Sequence, residues 1–328
     1  MGIIPLVLGL VAAPALAAAQ DTTRVVTDSA EAVPDVVYLY FDWPVGTSMQ
    51  VEVERSRRRT FDATTDSSRL EVDYQLDVED HEQGRLIRFS EFSTPDLGVS
   101  LLAPQEVLQA ASSFVPAYVV SDEGDILAVE GLEELGASLR AMMHQVLDTL
   151  ANPELEAILG PLLNEDNLFA QAATEWNSLV GTWIEAEFDV GYAYEMEVEE
   201  PLPMIGNALV PYIYELGASA RVPCLPEEEE LRCVELVMRT YPDPEVLQPL
   251  LDQFVQNMMN AVAPDVTVPA LVYKTLDIEN EVILVTEPAG LIPYALTVGR
   301  YLDMVVEVGG EEQAGSEVRL AEYTYRRR

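Results

Sequence analysis

Residues Trp183–Glu199 read WIEAEFDVGYAYEMEVE, and the fold is decided by how this stretch is read. Its even positions, from Ile184 to Val198, are all apolar or aromatic, while the odd positions carry Glu185, Glu187, Asp189, Glu195, Glu197 and Glu199. Alternation with a period of two predicts an extended strand with one dry face and one wet face. As a single strand it would span roughly 50 Å at ~3.3 Å per residue. That is long for one strand, so a bend or bulge is expected at Gly191. A strand wet on one side belongs to an antiparallel sheet with its other face on a core.

The same alternation recurs outward along the chain. Met49, Val51 and Val53 line one face of a strand expected over Met49–Phe61, and Leu70–Val78 alternates with acids. With strands over Val36–Asp42 and Arg85–Ser93, this makes an antiparallel meander. Tyr118–Gly131 is a hairpin turning at Asp122-Glu123-Gly124. Further strands are expected over Ala208–Val222, Val234–Tyr241, Val266–Ile278, Glu281–Glu287, Pro293–Val308 and Ser316–Tyr325, with turns at Glu279-Asn280 and Gly309-Gly310. Helical periodicity marks two longer stretches: a stripe from Leu132 to Leu150, and one through Leu247, Leu250, Leu251, Phe254, Met258 and Val262. Shorter helices are expected near Gln105–Ser113, Glu154–Leu159 and Glu165–Ala173. Strands, helices, strands, one helix and strands again predict an α+β fold: a large antiparallel, curved sheet or half-barrel packed on two main amphipathic helices. It would occupy residues 35–328 as one domain, or as two lobes meeting near residues 172–182.

Gly2–Ala19 carries no charge, and both Ala15-Leu16-Ala17 and Ala17-Ala18-Ala19 fit a small-residue cleavage site. This predicts a secretory signal peptide over residues 1–19, followed by a flexible N-terminus over residues 20–34. No later apolar run reaches spanning length, so no transmembrane segment is expected in the mature chain. A formal charge of -39 gives a surface that repels nucleic acid and anionic membranes. The expected location is periplasmic or secreted. Cys224 and Cys233 are the only cysteines, and an oxidising compartment would pair them. Such a disulfide staples the mouth of a hairpin whose tip carries Glu227–Glu230, where like charges repel; a redox pair would want C-x-x-C at a helix start.

Motifs for nucleophilic, zinc, nucleotide or dinucleotide chemistry are absent from the chain. His81 and His144 are the only histidines and read as solvated residues, so a three-histidine metal site cannot be built. No catalytic residue, metal or cofactor is assigned. Glycosidases need only two carboxyl groups, but the abundance of acids singles out no pair. Asp122-Glu123-Gly124-Asp125 reads as a turn ahead of a calcium loop. Arg55, Arg57, Arg58 and Arg59 read as cross-strand ion pairs on the wet face, with an anion site as the lesser alternative. The pairs Tyr38/Tyr40, Tyr192/Tyr194, Tyr212/Tyr214 and Tyr323/Tyr325 each share one strand face. Such rings fill a core with their hydroxyls at its rim, or line a ligand cavity. The candidate ligand-binding residues are Phe188, Tyr192, Tyr194, Tyr212 and Tyr214.

Gly124, Ile126, Val129 and Gly131, followed by Trp176 and Leu179-Val180-Gly181, form a hairpin-then-helix entry to a second sheet. This pattern resembles exported bacterial families of unknown function, and the resemblance implies an envelope protein without an assigned activity. The general plan is similar to periplasmic half-barrels that hold lipid or lipoprotein parts against helices, an analogy of shape alone. The expectation is an exported, non-enzymatic protein that binds a hydrophobic ligand such as a lipid, or an envelope protein partner, in a sheet–helix groove. The alternatives are a carboxylate-dependent, glycosidase-like hydrolase and a structural, acidic, salt-adapted secreted protein.

Overall fold

The structure is a computed structural model that describes residues 23–24, 35–62, 64–93, 117–134, 136–138, 164–202, 205, 207–262 and 271–328. The signal peptide expected over 1–19, most of the N-terminal segment expected over 20–34, the helices expected near 105–113 and 154–159, and the stripe beyond residue 138 lie outside the described residues.

The first half of the chain supplies β1 (Thr23–Arg24), β2 (Val36–Tyr38), β3 (Tyr40–Phe41), β4 (Ser48–Phe61), β5 (Thr64–His81), β6 (Gly84–Ser93), β7 (Ala117–Val120) and β8 (Ile126–Glu130). Helix α1 (Glu165–Trp176) runs into a π-helical turn over Asn177–Gly181. Next come β9 (Glu187–Asp189), β10 (Tyr192–Leu202), β11 (Ala208–Val222) and β12 (Cys233–Pro242). Helix α2 (Pro244–Val262) precedes β13 (Leu271–Glu287), β14 (Ala289–Gly290), β15 (Ile292–Val308) and β16 (Glu311–Arg327). One antiparallel sheet of 12 strands takes the order β1-β10-β11-β12-β13-β15-β16-β4-β5-β6-β7-β8.

The expected α+β class is therefore overturned. Among the described residues 64% lie in strands and 17% in helices, so the fold is mostly β and does not rest on two main helices. The physical reason lies in the length of the strands, which dominate the described residues, one of them running on where a sequence signal implies a break. Glu279-Asn280, expected to turn, sits inside the 17-residue β13. Asn280 donates to Thr240 Oγ1 at 3.1 Å, and Glu279 pairs with Arg239, so both polar groups are satisfied within the sheet. The decisive stretch goes the other way. Gly191 adopts φ 86°, as the expected bend requires, and divides β9 from β10. Before β9, Glu185 takes φ 59°, so Trp183–Ala186 is not strand. The hairpins at residues 118–131 and 309–310 form as expected.

The register assigns every inward side chain. Across β5, β4, β16 and β15, the partners Leu76–Met49, Tyr74–Val51, Val53–Tyr323 and Tyr323–Leu296 share the inner face. One end of that face is covered by an aromatic plug. Trp43 and Trp176 meet edge to face at 5.3 Å, and Phe41 packs against both. All 3 tryptophans are buried, and each indole N–H reaches a carbonyl: Trp43 to Leu291, Trp176 to Gly124, Trp183 to Ser178. Satisfying that donor is what allows a tryptophan to be buried whole. The Trp176–Gly124 bond also joins the hairpin of residues 118–131 to α1. The other end lies under α2. Its Leu247, Leu251, Phe254 and Met258 are buried in the same core, and Asp252 accepts from the Tyr273 amide at 3.1 Å. Asp243 caps α2 through the Glu245 amide, with Pro244 at the first helical position, where no donor is needed.

Candidate functional site

Between the plug and α2 the inner face changes character. A single register row crosses it: Tyr214, Thr240, Asn280, Arg300, Arg319, Arg57 and Ser68 stand directly opposite one another from β11 to β5. Every member can form hydrogen bonds, and three neighbours are arginines. With strands ~4.8 Å apart, the Arg300–Arg57 span is about 10 Å. Arg300, Arg319 and Arg57 are half-buried, as are Val298 and Ala321 beside them, whereas Leu284, Leu296, Leu302 and Met304 on either side are buried.

Glu317 is the carboxylate inside this group. It bonds Arg57 at 2.8 Å and also binds Arg319, with only 10% of its own side chain exposed. Burial pushes its carboxyl up, but the two guanidinium hydrogen bonds outweigh that and hold it below the usual glutamate value. Burial depresses Arg300, and the charge of Arg319 adds to the effect. The Nε of Arg57 is buried without a hydrogen-bond partner. Among the described residues, Glu317 is the carboxylate that bonds Arg57 and Arg319, on a surface bordered by apolar rows.

Two further polar clusters flank the row. Toward the plug, Glu175 of α1 accepts from the Tyr74 hydroxyl at 2.9 Å, and Arg55 donates to the Tyr323 hydroxyl at 3.3 Å. Burial raises the Glu175 carboxyl, against the Tyr74 bond and the Arg55 charge. Burial and the Glu175 charge push Tyr323 up to about 12. Tyr323 stacks on Tyr325, whose buried hydroxyl has no hydrogen-bond partner. Toward β10, Glu200 is 3% exposed and accepts from the Tyr214 hydroxyl. Burial raises its carboxyl to about 7, with the Tyr214 bond opposing. Tyr212 feels the charges of both Glu200 and Arg300, from strands on either side of it. No group of His, Cys, Asp and Glu among the described residues could hold a metal ion.

The structure places Phe188, Tyr212 and Tyr214 in the buried core, with Tyr192 and Tyr194 half-buried beside them on the inner face. Tyr212 and Tyr214 reach the arginine row, through Arg300 and Thr240 respectively. Phe188 instead packs on Trp183 and Tyr194, away from it. Tyr38 and Tyr40 are exposed. Cys224 and Cys233 form the expected disulfide.

The arginines correct the sequence reading. Arg55, Arg57 and Arg59 share the phase of Met49, Val51 and Val53, so they lie on the inner face, and only Arg58 faces out. That phase was readable along β4. Arg300 also sits in apolar phase, among Leu296, Val298, Leu302 and Met304. Arg319 and Glu317 left no such signal, because Val318 and Leu320 make the opposite face of β16 look like the dry one.

No family model and no curated protein matches this chain. A solved structure described as "Lipid-protein interactions in lipovitellin" is similar to it, with 9% identity and a TM-score of 0.41. The match covers 87% of this chain and 25% of that one, so this chain spans about a quarter of the other's length. A similarity of that size carries no argument about function.

Proposed function

We propose that this is an exported, non-enzymatic binding protein that holds a hydrophobic ligand on the inner face of its curved sheet. The observation that carries the reading is the interruption of the core. Val298, Ala321, Leu70 and Val72 are inward-facing apolar residues that are only partly buried between the tryptophan plug and α2. Apolar surface that the fold leaves only partly covered is where a hydrophobic ligand gains, at about 25 cal/mol per Å² removed from water. The Cys224–Cys233 disulfide and the uncharged Gly2–Ala19 segment support export. Among the described residues no helix is long and apolar enough to cross a membrane. Of the raised carboxyls among the described residues, Glu175 and Glu200 are engaged by tyrosine hydroxyls and Asp252 by the Tyr273 amide, which gives the hydrolase alternative no support.

The test is uptake of an uncharged hydrophobic fluorophore together with native mass spectrometry of the purified full chain. Saturable fluorescence enhancement, or a co-purified lipid mass, is the expected result. A bare protein mass with no enhancement would overturn the reading.

A further inference from the structure

We propose that the segment carrying the plug docks the protein on a zwitterionic membrane, with Tyr38 and Tyr40 among headgroups that end in an ammonium group. The inference concerns the outside of the molecule and does not rest on the ligand proposed above. From Asp35 to Pro44 the chain crosses the plug end of the sheet as one extended strap, in which Leu39 joins β2 to β3. Alternate residues of such a segment take opposite sides. Val37, Leu39, Phe41 and Trp43 are buried in the core, whereas Tyr38, Tyr40, Asp42 and Pro44 are exposed on the other side. The strap is pinned along its length. Arg221 binds Asp35 through two hydrogen bonds of 2.8 Å, the Leu39 amide donates to the Ala186 carbonyl at 2.9 Å, and the Asp42 amide donates to the Gly290 carbonyl at 3.2 Å. Its outward side chains therefore stand on a fixed base.

Tyr38 is 59% exposed and Tyr40 54%. Val45, directly after the strap, is exposed as well, and so is Leu231 at the same end. The neighbour of Leu231, Arg232, feels the charge of Glu287, two residues before Ala289, the strand partner of Tyr40. Acids stand in one row with the rings. Glu187, the exposed cross-strand partner of Tyr38, lies beside it, and Asp42 follows Tyr40 with 68% of its side chain exposed. Arg85, Arg221 and Arg232, around the strap, each stand against an acid. The centre of a protein interface is depleted of charge, so a row that mixes rings with carboxylates is poorly matched to a dry partner. It matches the headgroup layer of a bilayer, where tyrosines gather because the ring is apolar and its hydroxyl stays wet. Charge then selects the lipid. Carboxylates repel an anionic headgroup. The outermost group of a phosphatidylcholine is a quaternary ammonium, which binds the face of an aromatic ring and is attracted by the acids beside it.

Flotation of the full chain with vesicles at pH 8 tests the proposal. Phosphatidylcholine vesicles are expected to carry the protein, vesicles of the uncharged digalactosyldiacylglycerol to carry markedly less, and vesicles of phosphatidylglycerol to carry none. Tyr38→Ser combined with Tyr40→Ser should weaken binding to phosphatidylcholine about fivefold to thirtyfold, the product of two exposed contacts between a cation and a ring. Ile213→Ser, at an exposed position on the outer face of β11, should leave binding unchanged. In the wild type, binding to none of the vesicles, or equal binding to phosphatidylcholine and the galactolipid, would overturn the inference and would need no variant to fold. Neither outcome bears on uptake of a fluorophore by the inner face. A dimer in sedimentation that the tyrosine substitutions abolish would show that a second copy covers the strap. Binding of cytochrome c that the same substitutions abolish would show a basic protein there. Either result would overturn the membrane.

Discussion

Arg319 on β16 stands directly opposite Arg57 on β4, and Glu317 bonds both guanidiniums. The carboxylate is what lets two cations share one register position. Glu317→Gln keeps the shape but removes the charge, so it is expected to destabilise the protein. Breaking a fully buried pair costs about 3–5 kcal/mol, and partial exposure of the arginines reduces the expectation to roughly 1–3 kcal/mol. Urea unfolding reads this as a lower midpoint at unchanged slope. A midpoint equal to the wild type would show that the arginines are balanced by some other group.

Glu200 gives the protein a pH dependence with a defined sign. Its carboxyl is raised from 4.5 to about 7, chiefly by burial. The folded state therefore favours the neutral acid. Its contribution to stability is whole below about pH 4.5, is lost as pH rises toward about 7, and is gone above that. At about 1.4 kcal/mol per unit the loss is on the order of 3 kcal/mol. Glu200→Gln stays neutral throughout, so it should gain on the wild type by that amount between pH 4.5 and pH 8. Chemical denaturation of the two proteins in parallel isolates this group from the other carboxylates. A difference that does not change with pH would mean that Glu200 ionises freely in the fold.

How much was legible in the sequence follows from which side chains carried a phase. β4, β11 and β15 alternate cleanly and lie where expected to within a residue, whereas β5 starts at Thr64, ahead of Leu70, and β10 starts only at Tyr192, after the bend at Gly191. β13 was split because Glu279-Asn280 looks like a turn when only neighbours in sequence are considered; its partners, Arg239 and Thr240, come from β12. The same limit hid the site. Arg300, Arg319 and Arg57 are separated by up to 262 positions in numbering and become neighbours only through the β15–β16–β4 register. Tyr192, Tyr194, Tyr212 and Tyr214 lie on the inner face and Tyr38 and Tyr40 are exposed, while the inner-face charges of Arg319 and Glu317 come from a strand whose own alternation does not mark them.

Gly217 pairs with Ala193 where β11 meets β10. A methyl group built there would lie 2.2 Å from the Tyr192 carbonyl oxygen and 3.2 Å from the Ala193 Cα, both backbone atoms of the paired strand. No rotamer change can relieve that contact. Gly217→Ala should therefore loosen the β10–β11 pair at a cost of about 1–3 kcal/mol. Hydrogen exchange should show faster exchange of the β10 amides, with protection of β15 and β16 unchanged. Wild-type protection along β10 would mean that the two strands can separate at Gly217 without cost.

The disulfide closes a loop of sequence separation 9 at the ends of β11 and β12. Within that loop Glu227, Glu228, Glu229 and Glu230 are adjacent, and Arg232 binds Glu228 and Glu230. Cross-linking a loop this short limits the unfolded chain by about 2–3 kcal/mol. Replacing both cysteines by serine should lower stability by that amount, and the loss should depend on salt. In the open loop only Arg232 holds the acids together, and these exposed charges are screened on a scale of about 10 Å at 0.1 M salt. The stability gap between variant and wild type should therefore narrow from 0.05 M to 0.5 M sodium chloride. A gap that stays constant would assign the effect to chain entropy alone and remove repulsion at the tip as a reason for the staple.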